Sequence, residues 1–195
     1  MTSKVEQNKL EKERLLYRAA YELFSDKGIH ETSISAIAKK AGVGKGTFYL
    51  YFKDKYDVLE RIVMKKSSDI LNQAYQATSN VTFPRFEEEV IFFTNEIIDQ
   101  LKSDHLLLKL IHKNLSWALL KRAVYDYDDV AAIYEMFHRG FADSNLSKEE
   151  ISFRLYMIVE LTGSITYNAV ILKEPDSLDV IKPLLLENIK KMIME

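Results

Sequence analysis

The chain has 195 residues, 47% of them hydrophobic and 29% charged, with a formal net charge of −2; this is enough for one or two small domains with a sizeable core, and it excludes a disordered chain. The absence of cysteine rules out a disulfide framework and a thiolate metal site. No uninterrupted apolar run long enough to span a bilayer is read, and the charged N-terminus (Lys4, Glu6, Lys9, Glu11, Lys12, Glu13) lacks a signal-peptide core, so a cytoplasmic location with no membrane partner is expected.

The near-zero charge hides a split. Residues 1–66 carry 14 Lys/Arg against 9 Asp/Glu, a balance of +5, and the remainder carries 13 against 20, a balance of −7. A basic third joined to an acidic remainder suits a domain that faces DNA on a body that does not, although ordinary surface variation also gives imbalances of this size.

In chain order, Leu16, Ala20, Leu23 and Phe24 form a helical stripe that ends at Asp26-Lys27-Gly28, with Gly28 as the stop. The preceding Lys4, Lys9 and Lys12 are either an arm along DNA or a solvated, frayed terminus. Ile34, Ile37, Ala38 and Ala41 recur at i, i+3, i+4 and i+7, which is one buried face of a short helix with Ser33 at its N-cap and Gly42 as its stop. After Val43-Gly44, a second short helix carries Phe48 and Phe52 inward and leaves Lys45, Thr47, Tyr49, Leu50 and Tyr51 largely outward. This is a helix-turn-helix, and its second helix offers the small, hydroxylic, aromatic and cationic groups that suit phosphates and major-groove base edges. Gly44-Lys45-Gly46-Thr47 is not a phosphate-binding P-loop, because Gly46 separates the lysine from the threonine and a helix, not a strand, precedes it.

The run Ser33-Ile34 to Ile37-Ala38, then Ala41-Gly42-Val43-Gly44-Lys45-Gly46-Thr47-Phe48-Tyr49-Leu50-Tyr51-Phe52, resembles the TetR (tetracycline-repressor) family of one-component regulators. Ala19 to Phe24, Lys27-Gly28 and Lys53-Asp54-Lys55 extend the resemblance over roughly the first third of the chain; Gly44 departs from it, standing where the family often has serine. The resemblance implies an all-α protein with a three-helix DNA-binding domain, residues 1–53, and a helical effector-binding and dimerisation domain, residues 54–195. It places Ser35, Lys45, Gly46, Thr47 and Leu50 at base edges. Thr47 and Leu50 would offer a hydroxyl and an apolar contact to a thymine methyl, and Lys45 would donate to guanine or to a phosphate. Ser33, Tyr49, Tyr51 and Lys55 would grip the backbone; Tyr51 reads equally well as aromatic packing. Asp54 is a good N-cap for the next helix, and Lys55 in its first turn would meet a phosphate docked at that terminus.

From Asp54 a long helix runs through Val58, Leu59, Ile62, Val63, Ile70 and Ala74, fading at Ser79-Asn80 before Pro84. The family resemblance makes it the link between the two domains. Beyond it the chain reads as helix throughout: Phe86, Val90, Phe93, Ile97 and Leu101 give one face, Leu106 to Leu120 is apolar on nearly all sides, and Val130, Ile133, Tyr134, Phe137 and Phe141 give another. Ser147-Lys148-Glu149-Glu150 is a capping box. Pro183 in the last segment calls for a kink or a late start.

The last two helices carry apolar residues on more than one face, and the resemblance implies that they make a homodimer that meets double-stranded operator DNA as an inverted repeat. Trp117, Tyr134, Phe137, Tyr156 and Tyr167 are candidate walls of an effector pocket for a small, largely apolar molecule, with Glu160 and Asn168 as polar anchors; each aromatic taken singly reads more readily as core than as a ligand contact. A ligand-responsive regulator is expected, read here as a repressor; repression or activation depends on where the operator lies relative to a promoter. The alternative is a metal-responsive regulator or helical metalloprotein built on Glu135-x-x-His138, whose spacing matches a bundle ligand pair but which has no second such pair. No catalytic residue, metal site or cofactor is expected.

Overall fold

The computed structural model describes residues 4–114 and 128–194, which form helices joined by short turns and loops, with no strand among them. Two compact units emerge, Met1–Val63 and Met64–Glu195.

In the first unit, α1 (Lys4–Glu31) keeps helical geometry as far as Gly28, whose φ of 79° and ψ of 167° break it before a last turn. The terminal lysines therefore extend a helix instead of fraying. Leu16, Ala20, Leu23 and Phe24 bury the stripe expected from their spacing. Thr32, itself buried, ties off the corner by donating its hydroxyl to the carbonyl of Gly28 at 2.8 Å. The motif helices follow as α2 (Ile34–Lys40) and α3 (Lys45–Tyr49). Ser33 caps α2 by accepting from Ala36 N at 3.1 Å, and Gly42 turns the chain at φ 71°, a left-handed conformation that a side chain resists. The domain division expected at 53/54 falls where α4 (Lys55–Ser79) begins, but the compact unit runs on to Val63, because Val58, Leu59, Ile62 and Val63 are buried and the Tyr17 hydroxyl reaches Ile62 O.

The second unit takes the rest of α4 and then α5 (Phe86–Ser103), α6 (His105–Asn114), α7 (Asp128–Gly140), α8 (Lys148–Tyr167) and α9 (Leu178–Met194), with a turn of π-helix at Asn168–Leu172. Val90, Ile98, Leu108, Met136, Phe137 and Ile189 are among its fully buried side chains; each such burial stabilises by about 1.5–3 kcal/mol. The capping box forms as read, with Ser147 N donating to Glu150 Oε2 at 2.7 Å and Glu150 N to Ser147 Oγ at 3.2 Å. The last helix begins at Leu178, so Pro183 delays nothing: it sits inside α9 and the helix continues past it. Exposed pairs Lys102–Asp179 (3.3 Å) and Lys182–Asp99 (2.6 Å) join α5 to α9.

Two readings of the sequence are corrected here. By length and mean hydropathy (1.4), Lys148–Leu172 is apolar enough to cross a membrane. Its apolar residues fall on two sides, one packed inward through Ile151, Leu155 and Ile158 and one outward through Phe153, Met157 and Leu161. Glu160 lies on that outward side and is exposed, so it is no anchor for an interior pocket.

Candidate nucleic-acid interface

On α3 the burial of one aromatic fixes everything else. Phe48 is fully buried, edge-on to Tyr49 (centroids 5.5 Å) and tilted against Phe52 (5.5 Å). With Phe48 pointing in, the neighbouring helical positions must point out. Lys45 and Gly46 are exposed, Tyr49 is 52% exposed and Leu50 is 76% exposed. Thr47 and Tyr51 are half-buried, Tyr51 lying against Phe52 at 6.4 Å, so both readings of Tyr51 keep a physical basis. Ser35 is exposed one turn into α2; Ser33 is exposed too, with its oxygen engaged as the cap and its hydroxyl proton still available. Gly44 has no side chain with which to cap α3. Of these residues, Ser33, Ser35, Lys45, Gly46, Tyr49 and Leu50 are exposed, and Phe48 and Phe52 are buried.

Lys55 does not belong with the exposed residues. Its ammonium donates to the carbonyls of Ile29 (2.7 Å), His30 (3.1 Å) and Thr32 (3.1 Å), which uses all three of its protons. The terminus of α4 is filled as well: Asp54 Oδ1 accepts from Tyr56 N (2.8 Å) and Asp57 N (2.9 Å), and Asp57 Oδ2 accepts from Lys53 N (2.9 Å). Two carboxylates where a phosphate was expected repel an anion.

In the second unit the candidate pocket residues separate. Tyr134 donates its hydroxyl to Ser152 Oγ (2.8 Å), since the Ser152 proton goes to Lys148 O. Phe137 is core, edge-on to Phe86 at 5.8 Å. Tyr156 lies half-buried one turn beyond Ser152 on α8. Tyr167 stacks flat on His112 (3.9 Å, 6°) at the other end of α8, beside Asn168, whose carbonyl accepts from Glu174 N at 3.2 Å. Eleven residues of helix, about 16 Å, part Tyr156 from Tyr167. Trp117 lies outside the described residues. None of the candidates lines the open depression of about 290 Å³ between Leu146, Glu150, Phe153, Arg154, Met157 and Met192.

Interior hydroxyls were missed, because threonine is unremarkable in a helical stripe. Thr94 on α5 and Thr162 and Thr166 on α8 are buried with no partner for their Oγ1 atoms, as are Ser67 Oγ and His138 Nε2. Thr78, by contrast, satisfies itself on Ala74 O at 2.8 Å. His138 packs on Tyr134 (4.3 Å), and burial lowers its pKa below the usual 6.5, with Glu135 opposing the shift. Glu135 itself is exposed, and no group of three or more potential metal-ligating side chains exists among the described residues.

Residues 16–62 match the family model of bacterial regulatory proteins, tetR family. The fatty acid metabolism regulator protein of Bacillus subtilis is 42% identical over 55 residues, 28% of each chain. The transcriptional regulator AcrR of Shigella flexneri is 39% identical over 79 residues, 40% of this chain and 37% of its own. The chain thus covers less than two-fifths of the length of either relative. Over nearly its whole length it shares a fold with FadR from Bacillus subtilis, solved in complex with stearoyl-CoA (TM-score 0.68, 20% identity, covering 92% of this chain and 98% of that one), and with FadR from Bacillus halodurans (TM-score 0.68, 22% identity, covering 92% and 94%). The helix-turn-helix residues within 16–62 thus match the tetR family of bacterial regulatory proteins, and the chain beyond them is similar to those regulators in its all-helical fold.

Proposed function

We propose that this protein is a transcription regulator that binds an inverted-repeat operator as a homodimer and is released by a small, largely apolar effector, acting as a repressor from a cytoplasmic location. The observation that carries the DNA-binding reading is the outward face of α3. Leu50 is 76% exposed although Phe48, two residues earlier, is fully buried. At the end of the recognition helix such a leucine would exchange water for a thymine methyl in the major groove. Lys45, Gly46, Thr47, Leu50 and Ser35 reach base edges in this reading, while Ser33, Tyr49 and Tyr51 grip the backbone.

The dimer reading is supported by an apolar stripe on the two last helices. Phe153, Met157 and Leu161 follow one another on successive turns of α8, and Val180 and Leu184 do so on α9, all exposed. The effector reading draws on the unmet hydroxyls inside the second unit: a buried donor without a partner costs about 1–3 kcal/mol, which a bound polar group would offset. Stearoyl-CoA, bound by the Bacillus subtilis FadR of like fold, is the first effector to try.

Selection of bound duplexes from a random DNA pool tests the central reading. An enriched inverted repeat, released by a small apolar ligand or by stearoyl-CoA through its apolar acyl chain, is the expected result. Absence of enrichment, repeated after unfolding, stripping and refolding the protein, would remove the DNA-binding function.

A further inference from the structure

We infer that Lys55 is a positioning residue, not a DNA contact: it clamps the start of α4 to the corner between α1 and α2 and so fixes the pose in which α2 and α3 meet the operator. This rests on the DNA-binding reading above and names how that site is held.

The corner needs such a clamp. Helical geometry fails at Gly28, so the carbonyls of Ile29, His30 and Thr32 leave the helical ladder just before α2 is capped by Ser33. Ile29 O keeps one backbone donor, Thr32 N at 3.4 Å, but three carbonyl oxygens that converge on one point still repel one another. One ammonium with three protons satisfies them together, at 2.7, 3.1 and 3.1 Å. Lys55 is half-buried, and the buried Thr32 beside it ties the same corner back to Gly28 O. The next turn is held from the α4 side: Asp57 accepts from Lys53 N, and Arg61 pairs with Asp57 (3.1 Å) while lying over the Phe52 ring (5.0 Å). Phe52 packs on Phe48, the root of α3. The clamp thus ties the first residue of α4 to the end of α1 and to Thr32, two residues before α2 begins.

A phosphate contact and a clamp make opposite demands on the same ammonium. A lysine that meets a phosphate displaces a counterion, and removing it flattens the salt dependence of binding by roughly one ion. A clamp that keeps its carbonyls on DNA displaces none, so its loss weakens binding at every salt concentration by the same factor. The loss also falls mainly on the specific operator, because non-specific binding depends on charge and hardly on the pose of α3.

The test compares the full-length wild type, Lys55→Met and Lys55→Arg on the selected operator and on a scrambled duplex across a salt series, at a temperature where all three are folded by circular dichroism. Lys55→Met is expected to lose about tenfold on the operator with an unchanged salt slope, to lose far less on the scrambled duplex, and to be rescued largely by arginine. A slope flattened by about one ion, or equal losses on both duplexes, would overturn the inference while leaving the DNA-binding reading intact. Failure of the wild type to bind any duplex would end that reading and the positioning role with it. Should Lys55→Met not fold, nitrogen-detected NMR of the wild-type lysine ammonium groups decides: the inference requires a slowly exchanging Lys55 signal in the free protein that stays put on adding operator, and is overturned by a signal that appears or moves only with DNA.

Discussion

Phe48 in the five-residue α3 and Leu50 at its C-cap stand two residues apart, one wholly buried and the other 76% exposed. At this scale stability and recognition separate most clearly in the glycines. Gly42 holds φ 71° with open space where a Cβ would go, so Gly42→Ala costs backbone strain alone, about 1 kcal/mol in urea unfolding. Gly46 is helical, with equally open space around it. Gly46→Ala is expected to stabilise the fold by up to about 1 kcal/mol yet weaken operator binding, since the added methyl faces the groove. A variant that gains stability and keeps its affinity would take Gly46 off the interface. Thr47→Ala is expected to change the ranking of operators in competition binding, and an equal loss on all sequences would make Thr47 a backbone contact. Much of this was legible in advance, because Phe48 and Phe52 at i and i+4 fix the phase of α3. Lys55 was not legible: its partners are carbonyls more than twenty positions away, and a backbone acceptor leaves no mark on sequence.

Among elements, the second unit turns on how α7 meets α8. The spacing of Val130, Ile133, Phe137 and Phe141 announced α7, and Ser147 with Glu150 announced the start of α8; both helices form as read. What sequence could not show is where each aromatic would end. A heptad pattern assigns a face, not a neighbour, so Tyr134 with Tyr156 and Tyr167 with Asn168 were grouped although α8 carries the two pairs to opposite ends. His138 supplies an element-scale test. Burial lowers its folded pKa, so the unfolded chain binds its proton more readily. Its neutral form contributes full stability above about pH 6.5, and that contribution is lost as pH falls through the unfolded value towards the lower folded one. Thermal melts of His138→Phe should therefore lack a drop that the wild type shows below pH 6.5. Parallel pH profiles would mean that His138 titrates freely in the folded chain.

At the scale of the whole molecule, a helix-turn-helix unit and a helical unit share α4, and the apolar stripe on α8 and α9 stays open to solvent. Apolar periodicity announced helices throughout, yet the boundary between units fell later than the turn at Lys53-Asp54, because burial of Val58 and Ile62 outweighs a change of element. Charges placed in the stripe test the dimer. Leu161→Glu with Leu184→Glu should leave the helix content of the chain unchanged while light scattering reports a monomer, with operator affinity falling by orders of magnitude as the second half-site is lost. A double variant that remains dimeric would move the interface elsewhere.

The measurement closest to the central claim is a hydroxyl-radical footprint of the wild-type protein on its selected operator. Two recognition helices related by a two-fold axis should protect two half-sites symmetrically about one centre, with major grooves about 34–36 Å apart or a multiple of that spacing. A single protected patch, or two without symmetry, would contradict the account of α3 as the reading element of a dimer.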